Sequence, residues 1–89
     1  MNSMGAIKDE VRSEIAKILE LEESEINDQA HFFEVLGMDS LQALELLVTL
    51  EKRYKITIPQ EGLRQFINVS SVVEALQTFM AEAQAAYAS

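Results

Sequence analysis

Apolar side chains recur every three or four positions along most of this chain, and that period limits what it can fold into. Met4, Ile7, Val11, Ile15, Ile18 and Leu19 make one stripe, as an amphipathic helix over about 4–20 requires. Lys8, Asp9, Arg12, Glu14 and Lys17 take the other face. A second periodic run, about 40–54, turns Ala43, Leu46, Leu47, Leu50 and Tyr54 inward. Leu41, Leu44 and Val48 fall on a neighbouring stripe, so this helix is central or leaves an apolar strip for something else. A third run, about 69–84, carries Val72, Val73, Leu76, Phe79 and Met80, with Asn68 as its cap. Eighty-nine residues, 48% of them apolar, supply one core and not two. The prediction is all-α: a small bundle of three main helices plus one short helix over about 61–66, in a single domain spanning 1–89. The alanine-rich tail from Ala81 to Ser89 is expected to fray.

Residues 21–38 break the period. Glu22, Glu23, Glu25 and Asp28 make an acidic start, and Phe32, Phe33, Val35 and Leu36 an apolar end. The segment reads as a long loop between helices one and two, solvated at first and then anchored by Ile26, Phe32 and Phe33. A loop of this length signals function or specific packing. Ile56-Thr57-Ile58-Pro59 is β-branched and alternating, and the residue before a proline avoids helix. It reads as an extended connector with its isoleucines in the core.

The composition closes several routes to function. These residues include no cysteine, which excludes a disulfide, a thiolate nucleophile and a thiolate metal site. One histidine cannot make a multi-histidine zinc site. Fifteen acidic against seven basic residues give a net charge of −8. Such a surface repels nucleic acid and anionic lipid and attracts a basic protein partner. No stretch approaches the roughly 20 apolar residues that span a bilayer, and the first ten residues lack the apolar run of a secretory signal. A cytoplasmic monomer without membrane insertion is the expectation.

Few residues could carry chemistry. His31, beside Phe32 and Phe33, reads as a tie for the loop. Gly5, Gly37 and Gly62 stand too far apart to cradle a phosphate. The acidic run at 20–28 lacks the alternating oxygen ligands and central glycine of a calcium loop. Leu36-Gly37-Met38-Asp39-Ser40-Leu41 is different. Gly37 permits a turn that a Cβ resists, and Asp39 or Ser40 can cap the helix that follows. The helix dipole and free N–H groups there favour a negative group, phosphate in particular. Ser40 is therefore a good attachment point for a phosphodiester, or else part of a plain cap.

Phe32-Phe33-Glu34-Val35-Leu36-Gly37-Met38-Asp39-Ser40-Leu41, then Glu45-Leu46, Leu50-Glu51 and Ile56-Thr57-Ile58-Pro59, resembles the acyl carrier protein family over most of the chain. The resemblance implies that Ser40 is modified by 4′-phosphopantetheine, transferred from coenzyme A by a separate phosphopantetheinyl transferase. Ser40 would be an acceptor and not a catalyst, and the arm would supply the thiol that the chain lacks. Asp39 matches the acidic position of the box. Leu41 and Met38 match flanks that partner enzymes contact, and Leu44, Glu45, Val48 and Glu51 complete the implied partner face on helix two. The implied partners are acyl-loading and acyl-processing enzymes with basic docking patches, in fatty-acid, polyketide or related lipid synthesis.

The chain also departs from the family pattern. Gln42 stands where housekeeping carriers have an acidic residue, and Lys52, Arg53 and Lys55 bring positive charge to the end of helix two. Residues 61–67 are not the usual acidic short helix. Met38-Asp39-Ser40-Leu41 is also similar to carrier domains of polyketide synthases. These differences point to a specialised carrier. An unmodified acidic adaptor and a carrier of D-alanyl groups remain the alternatives. The excess apolar surface of helix two leaves two readings: a loaded medium-length chain partly enters a seam between it and 61–67, near Leu44, Val48, Leu63 and Phe66, or these residues complete a closed core and the arm stays in solvent.

Overall fold

The computed structural model describes residues 4–88, with side chains from 5 to 83. In chain order these are α1 (Met4–Leu19), a 3₁₀ turn (Glu23–Glu25), α2 (Ser40–Tyr54), a short 3₁₀ helix (Gln60–Gln65) and α3 (Val69–Ala88). Among the described residues there is no strand, and the all-helical bundle expected from the periodicity is what forms. The place of Met4's side chain on the first stripe lies outside the described residues.

The sequence holds no glycine at the ends of α1 and α2. Both helices nevertheless stop on a left-handed residue, Glu20 (φ 57°) and Lys55 (φ 55°). The N–H of Leu21 reaches back to the Ala16 carbonyl at 2.9 Å, and that of Ile56 to the Glu51 carbonyl at 3.2 Å. These bonds satisfy carbonyls that a helix end leaves open. Among the described residues α3 meets no such stop, and alanine is the best helix former. The helix runs through Ala88 and not to about 84, so the alanine tail stays helical within the described residues. At its start Asn68 caps it as expected, its side-chain oxygen accepting the Ser71 N–H at 2.8 Å.

Val11 and Ile15 from α1, Leu46 and Leu50 from α2, and Val69, Val72 and Leu76 from α3 are all fully buried. α1 packs against both other helices. Phe32 from the loop and Phe66 from the end of the short helix close the core. The short helix reaches the core because Gly62 is bare: a Cβ there would sit 2.9 Å from Ile58 Cγ2 and 3.3 Å from Phe79 Cζ.

The acidic loop is tied down at named points. Asp28 pairs with the Arg12 guanidinium and lies 3.3 Å from Lys8 Nζ. Arg12 first, then Lys8, holds the Asp28 carboxyl below the usual carboxylate range. Gln29 Nε2 donates to Ser70 Oγ at 2.9 Å, and the Phe32 N–H donates to the Ile67 carbonyl at 2.8 Å. Asp28 thus does more than keep the loop solvated. Ile26 and Phe32 anchor the loop as expected, but Phe33 is 42% exposed. The turn that buries Phe32 points its neighbour outward, with the Phe33 ring centre 6.1 Å from that of His31.

A polar clasp joins α1 to the end of α2. Arg53 reaches Glu10 at 3.4 Å and Glu14 at 3.3 Å, and the Tyr54 hydroxyl donates to Glu10. That hydroxyl, then Arg53, lowers the Glu10 pKa. Burial first, and the Glu10 carboxylate second, pushes the Tyr54 hydroxyl up to about 12.

Candidate functional site: the serine at the start of the second helix

The loop arrives at α2 through a tight, fully bonded turn. His31 Nδ1 accepts the N–H groups of Phe33 and Glu34, each at 3.2 Å. The His31 carbonyl accepts those of Val35 and Leu36 at 2.9 and 3.1 Å. Gly37 then takes φ 74°, a conformation that glycine adopts without the Cβ penalty. The chain turns back, and the Met38 N–H meets the Phe32 carbonyl at 2.9 Å. Met38 is therefore 3% exposed and part of the core. Its expected role in touching a partner is corrected: the Gly37 turn folds it beneath the loop.

Asp39 comes next, extended at φ −105°, ψ 176°. Its carboxylate accepts the Gln42 N–H at 2.7 Å, and Gln42 Oε1 accepts the Asp39 N–H at 2.9 Å. This reciprocal pair is a capping box. Of the two possible caps, Asp39 takes the task and Ser40 becomes the first helical residue. Ser40 is exposed, and among the described residues its hydroxyl has no hydrogen-bond partner. The N–H groups of Ser40 and Leu41 have no intrahelical acceptor, because they open the helix. An unengaged hydroxyl, two free N–H donors and the positive end of the helix dipole suit a serine phosphodiester. Gln42, read from the sequence only as a departure, is the other half of the box; aspartate followed three residues later by glutamine is its signature.

The outer face of α2 runs away from Ser40. Leu41 is 75% exposed and Val48 38%, while Leu44 is half-buried. With Gln42, Glu45, Thr49 and Lys52 they line a shallow, mainly apolar trough of about 520 Å³. Leu41, Leu44, Glu45 and Val48 thus share one surface, as their spacing implied. Glu51 does not join them. Its Oε2 accepts the Ile58 N–H at 2.7 Å, so it is half-buried and holds the 55–59 connector against α2. It lies outside the trough that the other expected partner residues on α2 line. The seam residues also divide: Phe66 is 1% exposed, Leu63 packs against the core, and Val48 looks outward. A larger hollow, about 720 Å³, lies under residues 23–29. It is polar and shares no residue with the Ser40 turn, and its Asp28 is already engaged by Arg12.

Among the described residues no group of three or more His, Cys, Asp or Glu could hold a metal ion. No described helix is long and apolar enough to cross a membrane.

Residues 9–76 match the family model described as a phosphopantetheine attachment site. The acyl carrier protein of Brachyspira hyodysenteriae is 38% identical over 81% of this chain and 94% of its own. Polyketide-8 synthase acyl carrier protein 2 of Streptomyces avermitilis is 36% identical over 78% of this chain and 79% of its own. In fold the chain is similar to the HMG-ACPI domain of the CurA module from Lyngbya majuscula, with a TM-score of 0.77 at 23% identity, covering 91% of this chain and 82% of that one. A serine turn of this geometry, inside a match that spans most of the chain, makes the protein a member of the acyl carrier protein family, with 4′-phosphopantetheine as its covalently attached prosthetic group.

Proposed function

We propose that Ser40 is the attachment residue and that the chain carries acyl intermediates between partner enzymes. The observation that carries this reading is the division of labour at the start of α2. Asp39 caps the helix, so the Ser40 hydroxyl stays exposed and unengaged. A separate phosphopantetheinyl transferase forms the bond from Ser40 Oγ to phosphorus, and the nucleotide part of coenzyme A leaves. The arm, once attached, supplies a thiol that holds the acyl group as a thioester. Asp39 holds the attachment turn by capping α2. Leu41, beside the attachment serine, and Leu44, Glu45 and Val48 meet the enzymes that load and process the cargo, a protein–protein contact suited to a cytoplasmic monomer.

The chain itself performs no chemical step in this reading; it binds, orients and presents. The pathway is fatty-acid, polyketide or related lipid synthesis. The basic residues near the end of α2, and the similarity to a carrier named for a polyketide synthase, favour a specialised member. The test is incubation with coenzyme A, magnesium and a broad-specificity transferase, read by intact mass. The wild type should gain one phosphopantetheine and Ser40→Ala none. A folded wild type that several transferases leave unmodified would instead support an unmodified adaptor. Loading by a D-alanyl ligase in preference to acyl ligases would turn the reading toward an aminoacyl carrier.

A further inference from the structure

The charges on the outer face of α2 are ordered along its axis. Near Ser40 stand the exposed acids Asp39 and Glu45. At the far end stand Lys52 and Lys55, both exposed. Among the described residues neither lysine lies in an ion pair, whereas Arg53 on the opposite side is engaged by Glu10 and Glu14. Of the acids, Glu51 is spent on the Ile58 N–H, and Glu45 stays outward. Glu45 and Lys52 both line the trough with Leu41, Leu44 and Val48. Seven residues of helix separate them, about 10 Å along the axis. The apolar strip therefore has an anionic end beside the attachment serine and a cationic end away from it.

We infer that the protein partner seated on this face is charge-ordered in the opposite sense. It presents an apolar ridge to Leu41, Leu44 and Val48, a cationic group to Glu45, and a carboxylate to Lys52. A uniformly basic patch would meet Lys52 and Lys55 with like charge, which costs recognition. This rests on the reading of α2 as the docking face and adds which enzymes that face admits and which it turns away. A lysine in the last turn also favours the helix dipole. That role would appear in thermal stability and not in a choice between partners.

Two synthetic amphipathic helical peptides with one leucine ridge serve as probes. One carries arginine at one end and glutamate at the other; the second carries arginine at both. Each is titrated into the full 15N-labelled chain at low salt. Both should shift the amides of Leu41, Leu44 and Val48. Lys52→Glu should weaken the mixed-charge peptide by about two- to fivefold, the scale of an exposed ion pair, and tighten the all-arginine one. Lys55→Glu should act in the same direction. Arg64→Glu, an exposed change of equal charge on the short 3₁₀ helix, should leave the mixed-charge peptide unchanged. The inference is overturned if Lys52→Glu leaves mixed-charge binding unchanged, or if Arg64→Glu weakens it as much. Shifts that avoid α2 would overturn it by removing the docking face itself, while phosphopantetheine transfer to Ser40 would stand.

Discussion

Replacing Asp39 by alanine removes the acceptor that the Gln42 N–H meets at 2.7 Å, and Gln42 Oε1 loses its fixed counterpart. Loss of an N-cap of this kind costs about 1 kcal/mol, within a range of about 0.5–2. The lost negative charge at the helix start adds about 0.3–1 kcal/mol. For a domain of this size each kcal/mol lowers Tm by about 4–8 °C. Ser40→Ala should behave differently, because its hydroxyl bonds to nothing among the described residues. Its cost should stay within about 0.5 kcal/mol. Thermal melts followed by far-UV circular dichroism separate the two. Asp39→Asn, which keeps the cap and drops the charge, should fall between them. Asp39→Ala and Gln42→Ala should be less than additive, since either one breaks the box. A Ser40→Ala protein that melts as early as Asp39→Ala would refute the assignment of the cap to Asp39.

Gly62→Ala should lose about 1–3 kcal/mol by overpacking against Ile58 and Phe79, read as a lower urea midpoint; trimming Phe79 to leucine should recover part of it. Asp28 and Glu10 titrate below their usual values, so the unfolded chain binds more protons than the folded one in acid. Their contribution is present above about pH 4 and is lost as pH falls through the lowered values, so Asp28→Asn should flatten the acid limb of stability against pH. Tyr54 has the opposite sign: its contribution is complete below about pH 10 and is lost as pH rises toward 12, so Tyr54→Phe should flatten the alkaline limb. Glu45→Lys should slow transferase association most at low salt. Glu51→Ala should leave that rate unchanged and instead lower Tm, by freeing the Ile58 N–H.

The period of apolar residues announced the three main helices, and the box around Ser40 announced the site. The sequence was blunt where a turn, and not a helical period, decides which way a side chain faces. Apolar spacing does not say that Met38 lies inside, because that depends on the Gly37 turn and on the Phe32 carbonyl, six residues back, receiving its N–H. Glu51 has the spacing of a surface acid, and only the fold brings the Ile58 N–H to it. The burial of Gly62 follows from where Phe79 lands, seventeen positions later. Left-handed ends at Glu20 and Lys55 carry no glycine to mark them. The expected end of α3 near 84 fell short because apolar spacing fades in the tail, while alanine's helix propensity carries the helix on to Ala88.

Locating the modification tests the central claim most directly. Trypsin should release residues 18–52 as one peptide, with Ser24 and Ser40 as its serines. After treatment with coenzyme A and a transferase, tandem fragmentation should place one phosphopantetheine on Ser40 and leave Ser24 bare. A group found on Ser24, or one retained by Ser40→Ala, would contradict the account.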